Sequence, residues 1–142
     1  MQVVGFNLIK ISATREMKYE RSSINTNIEF TSVEKEELPI LKDSEGIKIS
    51  FKFTIAYGDP EKKEKKSAEL HFEGIILLGT TKEEAKEFLK DWKKKSVPQN
   101  TVIPLYNTIL KRCSIKALQL EEDLNLPTHI PFPQVKAQPK DN

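Results

Sequence analysis

The chain has one cysteine, one tryptophan, three arginines and two histidines among its 142 residues. No apolar run in it approaches the ~20 residues that span a bilayer. Each scarcity excludes something. The lone Cys113 rules out an intrachain disulfide framework, so a reducing, cytoplasmic setting is expected. The amino-terminal MQVVGFNLIKIS lacks a basic leader region and a small-residue cleavage site, so no signal peptide is expected. Arginine is the preferred residue for bidentate contacts to phosphate and guanine. With only Arg15, Arg21 and Arg112 available, nucleic-acid readout is not expected. No phosphate-cradling, dinucleotide, zinc-protease or nucleophile-elbow motif occurs. The reading is of a non-enzyme without cofactor or metal.

Charge is plentiful but balanced. Lys+Arg total 23 and Asp+Glu 21, a net charge of +2, with 31% of residues charged and a mean hydropathy of −0.51. Mixed-sign charge of this kind confers solubility rather than a phosphate-binding surface. The Lys-Glu run EKKEKK has no interleaved aromatics and reads as a solvated hairpin tip.

The hydrophobic pattern predicts four strands, then two helices. Strands are expected at about 3–13, 24–33, 47–57 and 67–79. The third is the clearest: Ile47, Ile49, Phe51, Phe53, Ile55 and Tyr57 share one face, alternating with polar or small residues. The fourth, SAELHFEGIILLG, alternates as far as Gly74 and then becomes apolar on both faces. A loop or terminus of the same chain could cover the second face, or another copy of the chain could. TKEE at 81–84 has the form of a capping box, and Ala85, Phe88, Leu89 and Trp92 make one stripe behind it. A second helix is expected from about Asn100 to Gln119, with Pro104 in its first turn and Tyr106, Ile109, Leu110, Cys113 and Ala117 at helical spacing. Four strands without intervening helices, then two helices, imply an α+β domain. Its antiparallel sheet carries both helices on one face, over residues 1–135, and the tail 136–142 is expected to be disordered.

Candidate chemistry is thin. Glu69, His71 and Glu73 share a strand face and offer three metal-capable groups, but a solvated sheet face is the preferred reading because zinc sites favour Cys and His. Cys113 lies in an apolar stripe and reads as an inert buried thiol rather than a nucleophile. The unusual segment is LNLPTHIPFP, which places Leu124, Leu126, Ile130 and Phe132 on a proline-broken arm. Such an arm must dock, either along the protein's own sheet edge or so as to frame, with the sheet, an apolar groove for extended peptide.

In EGIILLG, TKEEAKEFLKDW, NTVIPLYNTILKRC and LNLPTHIPFP, taken in that order, the chain resembles the SecB family of protein-export chaperones, as a divergent or archaeal-type member. The amino-terminal half matches that family in element order. The resemblance implies a SecB-like fold, assembly as a homotetramer built as a dimer of dimers, and ATP-independent holding of unfolded or partly folded polypeptides. By position it places Tyr19 on the crossover segment, Leu70 and Phe72 on the groove floor, and Leu124 and Leu126 on the arm, with Ile130 and Phe132 following. Glu69 is the one acidic position matched to docking on a translocase partner. The family's strongly acidic surface is not reproduced in a chain of net charge +2. A dedicated binding module, chaperoning one partner such as an antitoxin-type client, is the alternative reading.

Overall fold

The computed structural model describes all residues except 21–22, 39–43, 59–65 and 140–142. The expected polar tip between the third and fourth strands, much of the turn before the third strand, and the last three residues of the tail therefore lie outside the described residues. Strands β1 (Gln2–Arg15), β2 (Ile24–Glu36), β3 (Glu45–Gly58) and β4 (Lys66–Thr80) precede helices α1 (Lys82–Lys93) and α2 (Gln99–Asp123). All strand pairs are antiparallel, in the order β1-β4-β3-β2. This is the α+β architecture the pattern predicts, with β1 and β2 as the sheet edges.

The alternation of β3 becomes the core. Ile47, Ile49, Phe51, Phe53, Ile55 and Tyr57 are all buried, and they pair across to Leu78, Ile76, Gly74, Phe72, Leu70 and Ala68 of β4. Gly74 is there because Phe51 needs its space. A Cβ at Gly74 would stand 2.6 Å from Phe51 Cζ and 2.7 Å from the Asn7 carbonyl oxygen, inside contact distance for both. The Phe51 ring crosses this gap to reach Phe6 on β1, with centroids 5.5 Å apart. On the opposite face of β4, Ile75 and Leu77 are half-buried between the small neighbours Gly5, Asn7 and Ser50 and the stem of Lys48.

Helix α1 begins at the predicted capping box. Thr81 Oγ1 accepts from the Glu84 amide at 3.2 Å, and Glu84 Oε1 accepts from the Thr81 amide at 3.3 Å. The amino-terminal ammonium adds a contact to Glu84 Oε2 at 3.1 Å, and these donors, the ammonium foremost, hold the Glu84 carboxyl below the ordinary carboxylate range. Ala85 and Phe88 face the sheet.

Two expectations for α2 need correction. The helix runs on to Asp123, four residues past Gln119, and Pro104 falls in its second turn rather than its first. An acidic run at a helix end opposes the macrodipole and argues for an earlier stop. Here Arg15 stands at that end and offsets the charge, as described below. Pro104 is tolerated because both it and Asn100, whose carbonyl loses its helical donor, face solvent. The buried stripe of α2 recurs every four residues, at Leu105, Ile109, Cys113, Ala117 and Glu121.

Candidate functional site

The carboxyl-terminal end of α2 is where β1, the segment after it, β3 and the arm meet. Helix α2 closes in a Schellman arrangement: the Leu126 amide donates to the Glu121 carbonyl at 2.7 Å and the Asn125 amide to the Glu122 carbonyl at 3.1 Å. Asn125 takes the left-handed conformation this requires, with φ 54°. Arg15, the last residue of β1, donates from Nη1 to the carbonyls of Leu124 at 2.6 Å and Asn125 at 3.2 Å. A guanidinium there meets the negative end of the helix dipole and satisfies carbonyls that the helix leaves open. Its other face lies 5.2 Å from the Tyr19 ring centroid, and Tyr19 in turn meets Tyr57 edge-on with centroids 6.4 Å apart.

Beneath this lies a buried polar chain. Glu121 is completely buried, an uncommon position for a carboxyl group, and each of its oxygens has a partner. Tyr57 Oη donates to Oε2. His129 Nδ1 lies 2.8 Å from Oε1, and His129 Nε2 lies 3.0 Å from Ser114 Oγ. A carboxyl acceptor facing Nδ1 selects the tautomer protonated there. Burial, then the hydrogen bond and charge of Glu121, push the Tyr57 hydroxyl well above the ordinary tyrosine range. The chain ties strand, helix and arm together through side chains alone.

The order Ser114–His129–Glu121 has the form of a nucleophile, base and orienting acid. Its setting argues against that chemistry. Ser114 sits in the middle of α2, where neighbouring amide donors are engaged by carbonyls four residues back, so none is left to receive an oxyanion. Cys113 is equally unsuited to nucleophilic work: it is fully buried and its thiol is pushed up to about 11 by that burial, only partly offset by Arg112. His71 contacts Thr54 Oγ1 at 3.2 Å and Glu73 Oε1 at 3.6 Å, within the polar face of the sheet. Among the described residues, no group of three or more His, Cys, Asp or Glu side chains is placed to hold a metal ion. No helix among them is long and apolar enough to cross a membrane.

The residues implied by the resemblance divide by accessibility. Leu70 and Phe72 are fully buried under the helices, so neither presents surface to another chain in this conformation. Leu126 is also buried, while Leu124 and Tyr19 pack against the core from its margin. The Tyr19 hydroxyl is buried and has no hydrogen-bond partner among the described residues. Ile130 and Phe132 are 38% and 55% exposed. Glu69 lies on the opposite face of the sheet, between Thr14 and Ala56. Between the arm and the last turns of α2 opens a cleft of about 440 Å³, with Leu118 and Leu126 on its walls and Phe132 at its mouth.

No motif in the sequence marks Arg15, Tyr57, Ser114, Glu121 and His129 as members of one site. One signal was available: the stripe at 105, 109, 113 and 117 puts Glu121 next on the same inward line.

No model of a known protein family matches the chain, and no curated protein does. Among solved structures, the Mycobacterium tuberculosis SecB-like chaperone Rv1957, in complex with a ChAD peptide from the Rv1956 HigA1 antitoxin, aligns with a TM-score of 0.45 at 17% identity, over 98% of this chain and 92% of that one. At that level of likeness no residue role is carried across.

Proposed function

We propose that the protein is an ATP-independent chaperone that holds non-native polypeptide, with the cleft between α2 and the carboxyl-terminal arm as its docking site. The observation that carries this reading is the arm itself. It cannot continue as a helix, it is fixed in place by His129 and Arg15, and it leaves Ile130 and Phe132 exposed beside an open cleft that has Leu118 and Leu126 among its polar lining. Exposed grease on a held, extended segment suits the capture of an extended peptide. Burying one client side chain there contributes about 1.5–3 kcal/mol, which corresponds to roughly ten- to a hundredfold in affinity per anchor.

Self-association supplies further sites on the same reading. Strand β1 is a 14-residue sheet edge with Val4 and Ile9 exposed at its bulges and Ile11 beside them, and Ile75 and Leu77 stand only half-covered on the outer face. Unpaired edges with apolar side chains are templates for pairing with another chain. A tetramer multiplies weak grooves into avidity.

The test uses substitutions at exposed positions, where the fold is spared. Phe132→Asp and Ile130→Asp should lose most of the ability to suppress aggregation of a denatured client while keeping wild-type thermal stability. Undiminished protection would remove the arm from the site. Solution mass decides the assembly: a tetramer is expected, and a stable monomer at micromolar concentration refutes it. The few apolar residues in the arm cleft favour a second reading, a chaperone dedicated to one short segment of one partner. Affinity isolation yielding a single stoichiometric protein, in place of a spread of unfolded chains, selects it.

A further inference from the structure

We propose that the chain carries a second docking site, at the opposite end of α2, for an acidic segment of a partner protein that presents an aromatic or aliphatic anchor. The site is a cleft of about 660 Å³ between the end of α1, the middle of β2 and the first turns of α2. It does not depend on the arm cleft.

Its interior is aromatic. Phe30 of β2 stands at the centre, with ring centroids 6.4 Å from Trp92 and 5.1 Å from Tyr106, both inclined at about 50°. Val97 and Val102 complete the apolar wall. Tilted rings around an open space accept a flat or branched apolar side chain. Such a cluster could also receive a cation on its ring faces, and the rim decides against that. Lys93 and Lys95 border the cleft, both exposed, and among the described residues no acidic side chain lines it. The first turn of α2 opens on the same side through Gln99. It has no side-chain cap and no acidic residue, so its amide donors and the positive end of its dipole favour carboxylates.

Lys95 gives an independent sign. Helix α1 ends in a full Schellman arrangement, with the Ser96 amide donating to the Asp91 carbonyl at 2.9 Å and the Lys95 amide to the Trp92 carbonyl at 3.0 Å. The residue at this position must be left-handed, and Lys95 has φ 53°. Helices favour glycine there because a side chain is strained. This left-handed position sets the Lys95 charge at the mouth of the aromatic cleft, where it can meet a carboxylate.

Trp92 is the chain's one tryptophan, so its fluorescence reports occupancy of this cleft directly. The probe is a synthetic decapeptide with a central Leu-Phe pair, flanking Asp and Glu residues and no Trp. Saturable change of Trp92 emission is expected, weakening severalfold between 50 and 500 mM salt. The same peptide with Lys flanks should bind at least tenfold more weakly. Lys95→Gly should relieve the strained backbone, so its melting temperature should equal or exceed that of wild type, while affinity falls about two- to fivefold. Lys93→Gln should lose a similar factor. Phe132→Asp should leave this binding unchanged. Equal binding of the basic peptide, absence of any Trp92 response, full affinity in Lys95→Gly, or loss of binding in Phe132→Asp would each overturn the proposal.

Discussion

His129 is the most informative residue to remove. In His129→Ala the imidazole leaves two partners, Glu121 Oε1 at 2.8 Å and Ser114 Oγ at 3.0 Å. A hydrogen bond to a carboxyl acceptor contributes about 1.5–3 kcal/mol and a neutral one about 0.5–1.5 kcal/mol. The side chain is only 2% exposed, but the gap it leaves is lined by the polar atoms of Glu121 and Ser114, so a water that enters it recovers part of the loss for Glu121. A net cost of about 2–4 kcal/mol follows. For a domain of this length the unfolding entropy is about 0.3 kcal/mol per kelvin, so the melting temperature should fall by about 7–13 °C. Amide exchange at residues 128–132 should accelerate more than exchange in β3, because the arm loses its attachment while the sheet keeps its own.

Tyr57→Phe attacks the same carboxyl group from the strand side. The ring stays and only the hydroxyl is lost, so cavity formation is minor and the cost, about 1.5–3 kcal/mol, reports the donor to Glu121. The two substitutions share one buried acceptor and should therefore be non-additive, with a coupling of at least about 0.5 kcal/mol in a double-mutant cycle by urea denaturation. Strict additivity, or an arm whose exchange is unchanged in His129→Ala, would refute the account of Glu121 as the joint between sheet and arm.

Further outcomes follow from single contacts. Gly74→Ala places a Cβ against Phe51 and the Asn7 carbonyl and should cost about 1–3 kcal/mol, read as a lowered urea midpoint; a neutral result would mean that Phe51 has another place to go. Arg15→Met keeps the stem over Tyr19 but removes the charge from the end of α2. It should cost about 1–2 kcal/mol and speed amide exchange at residues 122–126, and unchanged exchange there would reject the capping role. Cys113, with its folded value raised to about 11, should resist thiol reagents at pH 8 until the protein unfolds. The sign for stability follows from proton counts. Above the unfolded cysteine value near 8.5 the unfolded chain releases the proton first, so stability present at neutral pH declines toward pH 11. The raised Tyr57 hydroxyl adds a decline in the same direction above about pH 10. Urea midpoints that rise between about pH 8.5 and 10 would contradict the first, and midpoints that rise between about pH 10 and 11 the second.

The legible parts of the fold were those governed by one face and one solvent. Strand β3 has a buried side and a polar side, so its period of two is clean, and the capping box of α1 is a local contract between Thr81 and Glu84. The end of α2 was not legible because its stability comes from elsewhere in the chain. The proline-broken stretch after Gln119 reads as an extended arm, and only the fold brings Arg15 from β1 to the carbonyls left open at the true, acidic end of the helix. The same holds for the arm. Its prolines exclude a helix, which the sequence makes plain, but its attachment depends on His129 meeting a carboxyl group buried by packing. Phe72 shows the opposite limit. Its place on the apolar face of β4 is readable, yet whether that face forms a groove floor or an interior depends on how closely the helices lie over it, and here they close it completely.

Net charge conceals what the helix arrangement does with sign. The cleft at the amino-terminal end of α2 is bordered by Lys93 and Lys95, and the cleft at the carboxyl-terminal end includes Glu121 and Glu122. From Val102 to Glu122 the helix rises roughly 30 Å, which an extended peptide needs about nine residues to cover. The helix dipole adds to the difference, positive beside the lysines and negative beside the acids. The two ends therefore carry side chains of opposite sign within one molecule whose total is only +2, with Arg15 offsetting part of the negative end. Screening over about 8–10 Å at physiological salt keeps each end from cancelling the other. A segment suited to one cleft is disfavoured at the other by the sign of its flanking charges. Discrimination between bound segments thus does not require a strongly charged protein, only a helix long enough to keep its two ends electrically apart.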